Sequence, residues 1–150
     1  MSTVRSLYTN NQSVTITLAS LANGSFATSN AIDNSVDKFI SANIQIKIKT
    51  GTGIPAFPNR PTIAVFLIRS ADGGTTYDDT NDNSQLIDVF QMKNDSTTYV
   101  VTADTGGVGQ LPDFWKIAIK NKTGVAFDAT PANLSVIFTG NKLQGTINGI

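Results

Sequence analysis

The chain has 150 residues, the length of a single domain, and its 11 cationic and 11 acidic side chains cancel. It contains neither Cys nor His, which excludes disulfides, thiolate catalysis, imidazole general bases and the common zinc sites. A net charge of zero gives no long-range attraction to phosphate backbones or anionic lipid. Composition therefore argues against an enzyme, and against a partner that is a nucleic acid or a membrane.

The uncharged polar residues are unusually abundant. Thr occurs 19 times, Asn 14 times and Ser 12 times, together 45 of the 150 residues, and Glu is absent. Thr favours strands, as do the Ile, Val and Phe that supply most of the apolar mass, whereas Asn and Ser favour turns. This composition predicts an all-β domain with a surface rich in hydroxyl and amide groups.

The first twelve residues are polar and have no hydrophobic periodicity. We interpret them as an extended arm that is ordered only when something holds it. The N-terminus lacks the apolar core of a signal peptide, and the longest apolar run, residues 63–68, is too short to span a bilayer. We therefore expect synthesis in a cytoplasm and no membrane-spanning segment.

Alternating apolar and polar residues predict the first strands. Residues 14–18 alternate cleanly, and in residues 44–49 the three Ile side chains share one face. A long loop with three Pro and two Gly follows over residues 50–61. Residues 63–68 are apolar at odd- and even-numbered positions alike, which predicts a central strand with both faces covered.

The second half continues the same pattern. A tight turn begins the stretch 70–77, and a loop covers 104–112. Further strands are predicted at 86–90, 97–102, 114–120, 125–127 and 134–138. Seven or eight strands without a helix indicate an antiparallel β-sandwich, with the jelly roll as the particular type considered. The predicted organisation is an arm over 1–12, a sandwich over 13–140 and a Gly- and Asn-rich tail over 141–150.

Three features of the sequence suggest chemistry that closer inspection disfavours. The Asp-rich loop 78–83 begins like a calcium-binding loop, but Ser84 and Phe90 stand where such a loop needs Gly and Glu, so a solvated loop is the preferred interpretation. The Gly-rich stretch 106–109 has no following Lys-Ser/Thr, so we interpret it as a connector. Four Asp residues in or near strands have no spacing that selects a glycosidase pair, and these are Asp33, Asp37, Asp88 and Asp113. We predict no catalytic, cofactor-binding or metal-binding residue.

The single Trp allows two interpretations. Trp115 shares its face with Ile117 and Ile119, which favours packing in the core. An exposed Trp on a sandwich would instead provide a platform for a sugar ring, with Tyr77 and Phe57 as further candidates.

Several segments resemble a group of small virion proteins encoded among the structural genes of tailed phages. Between them they extend over about residues 32–140. The matching segments are 32–35 with 43–51, 64–77, 111–124, and 127–130 with 136–140. The resemblance implies a protein of the virion surface, with capsid decoration, or cement, as the role, and it transfers no catalytic or metal-binding residue.

From the resemblance we expect a non-enzymatic protein of the capsid surface that binds the major capsid protein as a homo-oligomer, with a trimer favoured because repeated copies gain avidity on a symmetric shell. The alternative is a glycan- or receptor-binding module of a tail fibre or baseplate. The predicted contact residues are apolar side chains of the arm and of the Pro-rich loop, namely Val4, Leu7, Tyr8, Ile54 and Phe57.

Overall fold

The computed structural model describes residues 2–56 and 60–147, and nearly all of its regular structure is β-strand. Two short 3-10 turns, Thr105–Val108 and Pro131–Asn133, interrupt the strands. The strands are β1 (Ser2–Ser13), β2 (Phe26–Thr28), β3 (Ile32–Asp33), β4 (Ser41–Lys49), β5 (Thr62–Ser70), β6 (Gln85–Gln91), β7 (Thr98–Asp104), β8 (Phe114–Lys122) and β9 (Ser135–Ile147). In the described part of the chain no helix has the length and apolar character needed to cross a membrane.

The strands form two antiparallel sheets. Sheet A has the order β1-β9-β4-β7, and sheet B has the order β2-β8-β5-β6, with β3 also paired to β8. The prediction of an all-β antiparallel sandwich is therefore confirmed.

The order of the strands identifies the jelly roll among sandwich topologies. The outermost long strands of the sequence pair with each other, β1 with β9, and the pairing then proceeds inward as β2 with β8, β4 with β7 and β5 with β6. These nested pairs correspond to one long antiparallel hairpin whose successive pairs alternate between the two sheets. The open end of that hairpin is the β1–β9 pair, which contains the first and last described residues, Ser2 and Ile147.

The core lies between the sheets and is built from the faces that the alternation predicted. Ile44, Ile46 and Ile48 of β4 are fully buried, and so are Trp115 and its face-sharing partners Ile117 and Ile119 of β8. A strand places alternate side chains on opposite faces, so apolar residues at every second position are enough to form this layer. Burial of Trp115 confirms the core interpretation of that residue.

Strand β5 is covered on both faces, as its continuous apolar run predicted. Its odd-numbered residues Ile63, Val65 and Leu67 enter the main core, while the even-numbered ones form a smaller cluster with Phe26 and Tyr77 on the outer face of sheet B. β5 lies between β8 and β6, so its backbone groups are paired on both sides.

Two predicted strands are wrong. Residues 14–18 and residues 125–127 have no strand pairing, although Leu18 and Phe127 are buried as the alternation requires. The reason is topological, because each segment crosses from one sheet to the other and so cannot remain in either ladder. The two crossings bond to each other instead, through Phe127 N–H to the Leu21 carbonyl at 3.1 Å and Ser20 N–H to the Asp128 carbonyl at 3.0 Å.

The ends of the chain are more regular than the sequence indicated. The final strand was predicted to end at residue 138, yet β9 continues to Ile147 through the Gly- and Asn-rich tail. Its partner over that stretch is β1, which occupies the segment predicted to be an arm. The strands β2 and β3 were not predicted, since each has only two or three residues and no periodicity to detect.

Candidate interaction surfaces

The first surface is formed by the two ends of the chain. β4 pairs with β9 only as far as the Ser41–Asn141 pair, and β1 pairs with β9 through to Ser2 and Ile147. Residues 2–7 and 142–147 therefore form a two-stranded antiparallel segment that extends past the first residue of β4. We call this segment the terminal ribbon. Each strand of the ribbon has the other as its sheet partner.

Two large apolar side chains on and beside the ribbon are exposed to solvent. Tyr8, at its base, is 64% exposed, and Leu143 is 57% exposed. Tyr8 pairs with Asn141 and Ser6 pairs with Leu143, so the two apolar side chains are diagonal neighbours on one face of the strands. That face continues the outer face of sheet A, because the inward residues of β9, such as Phe138, are at even-numbered positions.

The other two residues predicted for the arm have different positions. Leu7 lies on the opposite face from Tyr8 and is half-buried. The backbone of Val4 pairs with Gly145 in the ribbon, and the side chain of Val4 is outside the described part of the structure.

The base of the ribbon is tightly packed. An ideal Cβ placed on Gly140 would lie 2.5 Å from three atoms of the Phe39 ring, so β9 approaches Phe39 as closely as a glycine permits. The Phe39 ring meets Phe138 edge-on at 6.1 Å between centroids, and the Lys142 ammonium lies 5.7 Å from the centroid of the Phe39 ring. Lys142 also lies 4.0 Å from Asp37. The ribbon is thus joined to the sandwich through Phe39.

The second predicted contact, the Pro-rich loop, is held in place at its start by a carboxylate. Asp95 accepts hydrogen bonds from the backbone N–H groups of Gly53 at 3.0 Å and Ile54 at 2.8 Å. These two bonds lower the pKa of Asp95 from its ordinary value, since they favour the charged form. Ile54 is half-buried, and Phe57 is outside the described residues.

The same loop borders a cavity of about 490 Å³. Its described lining consists of prolines, an alanine and three polar side chains, namely Pro55, Ala56, Arg60, Pro61, Gln91 and Lys93. Pro55 also packs over Gly124, where an ideal Cβ would lie 2.5 Å from the Pro55 ring. The backbone of Gly124 has a φ of 95°, so glycine is required there for both space and conformation.

The Asp-rich loop and the Gly-rich stretch make local structural contacts. Asp82 forms an ion pair with Lys120 at 2.6 Å, and in the described part of the chain no three acidic side chains cluster in a way that would hold a metal ion. In the Gly-rich stretch the Asp104 carboxylate accepts the Gly106 N–H at 2.7 Å and so caps the first 3-10 turn.

Each of the four Asp residues that the sequence raised for glycoside hydrolysis has a local partner. Asp113 forms an ion pair with Lys38 at 2.6 Å, and Asp37 lies beside Lys142. Asp88 accepts the N–H of Val89. Asp33 accepts the backbone N–H and the hydroxyl of Ser35, and these bonds lower its pKa.

The turn after β5 is organised by one carboxylate. Asp72 accepts hydrogen bonds from the backbone N–H of Thr76 at 2.8 Å, the hydroxyl of Ser70 at 2.8 Å and the backbone N–H of Thr75 at 3.1 Å. The bond from Thr76 is the largest cause that lowers the pKa of Asp72 to about 2, followed by the bond from Ser70.

The aromatic candidates for a sugar platform are mostly covered. Trp115 is buried, with its ring 5.3 Å from that of Phe138 in an edge-on arrangement. Tyr77 is half-buried and carries the Lys116 ammonium 4.0 Å above its ring. Among the described residues the exposed aromatic side chain is that of Tyr8, which was predicted as a protein contact. Two residues further along β1, Asn10 lines a groove of about 250 Å³ on sheet A, together with Asn11, Asn43, Gln45, Ile137, Phe138 and Thr139.

A further surface was missed by sequence reasoning. β7 is the edge strand of sheet A opposite β1, and its Val100 is 58% exposed. Val100 pairs with Lys47, whose neighbours Ile46 and Ile48 point inward, so Val100 lies on the outer face of sheet A. The 97–102 run was recognised as a strand, but edge position depends on long-range pairing and has no local sequence signal.

Two solved structures of virus particles are similar to the chain at low scores. No family model and no curated protein sequence matches the chain. Among solved structures, a chain of the empty virus-like particle of cowpea mosaic virus aligns with 96% of this chain and 85% of its own length, at 13% identity and a TM-score of 0.33. A chain of the naturally occurring empty particles of the same virus aligns with 99% of this chain and 90% of its own length, at 12% identity and a TM-score of 0.31. Scores at this level do not establish a shared topology.

Proposed function

We propose that the protein is a non-enzymatic structural protein of a phage virion, a capsid decoration protein that binds the outer shell and holds neighbouring major capsid subunits together. The resemblance of residues 32–140 to small tailed-phage virion proteins supports this role. The jelly-roll topology agrees with it, because viral capsid domains use that architecture. Lectin domains and cupins use it too, so the fold supports the role by analogy only.

The observation that carries the proposal is the terminal ribbon. A two-stranded ribbon is at best marginally stable by itself in water, and fixing each residue costs about 1–2 kcal/mol of conformational entropy. Yet this ribbon extends past β4 with Tyr8 and Leu143 uncovered on one face. A segment with these properties gains its stability by contact with another chain.

The remaining features agree with a protein that is repeated on a symmetric shell. The surface is rich in Thr, Asn and Ser with a net charge of zero, which suits close packing of many copies. In this proposal the protein is made in the host cytoplasm and acts on the capsid surface as a homo-oligomer, with a trimer favoured for its avidity. The Pro-rich loop with Ile54 and Phe57 is the second contact, and its prolines limit the entropy lost on binding.

The test is to locate the chain in intact particles and then to remove the ribbon. A cryo-EM reconstruction of virions is expected to show this fold on the outside of the head, and density on the tail alone would contradict the proposal. Particles assembled with a chain that lacks residues 1–7 are expected to lose the decoration. The deletion spares Tyr8 to Ser13, which pair with the part of β9 that lies within sheet A.

The matched control for this experiment is Val36→Ser. Val36 is 87% exposed and lies outside both the ribbon and the Pro-rich loop, so its removal tests the loss of an apolar surface group in general. Wild-type occupancy is expected for this variant. Wild-type occupancy for the deletion as well would show that the ribbon is dispensable.

A glycan-binding module remains the second candidate because of one observation. The amide-lined groove at Asn10 offers several donors and acceptors, and Tyr8, two residues away on β1, offers an exposed aromatic ring, which together is the chemistry that binds sugars. Tyr8→Ala and Asn43→Ala would then abolish binding on a glycan array. An array without any bound glycan counts against this function.

A further inference from the structure

We infer that the partner of the terminal ribbon is a second copy of this chain, in which β1 of one copy adds to the open edge of β7 of the next and makes sheet A continuous between subunits. This inference rests on the proposed function only for the place where the oligomer acts. Self-association itself can be measured on the purified chain, without virus particles. The sheet geometry, the apolar side chains and the charges each support it.

The directions of the strands allow this addition without any rearrangement. Each neighbouring pair in the order β1-β9-β4-β7 is antiparallel, so β1 and β7 run in opposite directions at the two edges of the sheet. A copy placed beside β7 in the same orientation therefore presents its β1 antiparallel to β7. The seven residues of β7 offer about 24 Å of unpaired backbone, and the 12 residues of β1 are long enough to cover it.

The exposed apolar side chains lie where this contact would bury them. Tyr8 and Leu143 at one edge of sheet A and Val100 at the other are all on its outer face, and all are more than half exposed. In a continuous sheet the outer faces of adjacent strands coincide. We take the register to be the one that sets Tyr8 of one copy opposite Val100 of the next, which differs by six residues from alignment of the two copies at the same level of the strands.

The charges of the two edge strands are opposite in sign. At one edge of sheet A, β1 carries Arg5 and no carboxylate. At the other edge, β7 carries Asp104 and no cation, although Lys47 and Lys49 lie on the neighbouring strand β4. A symmetric contact of β1 with β1 would instead bring two cationic ribbons together and leave the β7 edge uncovered. Opposite charge thus favours the head-to-tail contact over the two-fold one.

A head-to-tail contact between unlike surfaces closes into a ring if the rotation per copy permits, and otherwise grows into a filament. A ring leaves the Pro-rich loop available for the shell, since Ile54 belongs to neither edge of sheet A. In this arrangement the ribbon holds the copies together and the loop contacts the capsid.

The experiment is a complementation of two edge variants, measured by native mass spectrometry and sedimentation of the purified full chain. One variant lacks residues 1–7, carries Tyr8→Lys and keeps β7, and the other carries Val100→Lys and keeps the ribbon. Each alone is expected to be a monomer, and their mixture is expected to give a one-to-one heterodimer. The unchanged chain is expected to give a closed oligomer, and Val36→Lys is the matched control that should assemble normally.

Three results would overturn the inference. The first is a full-length chain that remains monomeric into the millimolar range. The second is a Val100→Lys variant that still assembles alone, which is what a β1–β1 contact predicts. The third is a pair of edge variants that do not form a heterodimer when mixed. If Val100→Lys does not fold, Thr102→Lys replaces it, because Thr102 is exposed on the same face of β7. A chain that assembles as described but leaves particles undecorated would refute the proposed function and not this contact.

Discussion

Replacing Gly140 with alanine is the sharpest test of the packing at the base of the ribbon. An ideal Cβ at Gly140 would lie 2.5 Å from three atoms of the Phe39 ring, whereas carbon atoms in contact prefer about 3.5–4.0 Å. Phe39 is 3% exposed, and its backbone is fixed on both sides by the Asn34 amide, at 2.7 and 2.9 Å. The backbone of Phe39 is therefore held in place, so the clash can be relieved only by movement of the ring or of β9.

The magnitude follows from the cost of overpacking. An extra methyl group in a filled core costs about 1–3 kcal/mol, offset by about 0.5–1 kcal/mol because a glycine within a strand is itself destabilising. We expect a net loss of about 1–2 kcal/mol in the free energy of unfolding. In a domain of this size that lowers Tm by roughly 2–8 °C. Urea unfolding should give the same loss with an unchanged m-value.

The chain provides its own control and its own rescue. Gly145→Ala lies on the same strand, with no atom within 4 Å of the ideal Cβ, and is expected to be neutral or slightly stabilising. Phe39→Leu in the Gly140→Ala background should recover part of the loss, with a coupling of about 0.5–3 kcal/mol. If Gly140→Ala unfolds at the midpoint of Gly145→Ala, or the coupling is zero, the packing argument is incorrect.

The remaining predictions concern two carboxylates and the core. The pKa of Asp95 is lowered, so the stability from its bonds is present above the ordinary pKa and is lost as pH falls through the folded value. The amide resonances of Gly53 and Ile54 should therefore shift together in acid, and Asp95→Asn should remove that transition. The pKa of Asp72 is lowered from 3.8 to about 2, so the stability that its bonds add declines below pH 3.8 and is lost as pH falls through about 2. An NMR titration should show the turn after β5 still formed at pH 3, and a carboxyl resonance that titrates near 4 would contradict this. Trp115→Ala should cost about 3–5 kcal/mol, because the side chain is fully buried. Iodide should fail to quench the native fluorescence, and ready quenching would contradict the burial of Trp115.

The predictions that succeeded are those decided by the faces of single strands. The run of alternating Ile residues in β4 and the apolar face of β8 were identified because a strand places every second side chain on one face. β5 was recognised as central because an apolar residue at every position is tolerated only when both faces are covered. The burial of Trp115 followed from the residues that share its face.

Features that depend on distant parts of the chain could not be predicted in this way. Residues 14–18 alternate like a strand but cross between the sheets, and nothing local distinguishes a crossing segment from a paired one. The polar N-terminal segment became β1 because β9 supplies its hydrogen-bond partners more than one hundred residues later in the sequence. The exposed edge at Val100 depends in turn on the position of β7 in sheet A, where β4 is its one neighbour among the described strands. Side-chain periodicity along this sequence thus determined which faces are buried, and tertiary structure alone decided which strands pair and which edges stay open, since backbone hydrogen bonds carry no side-chain signature.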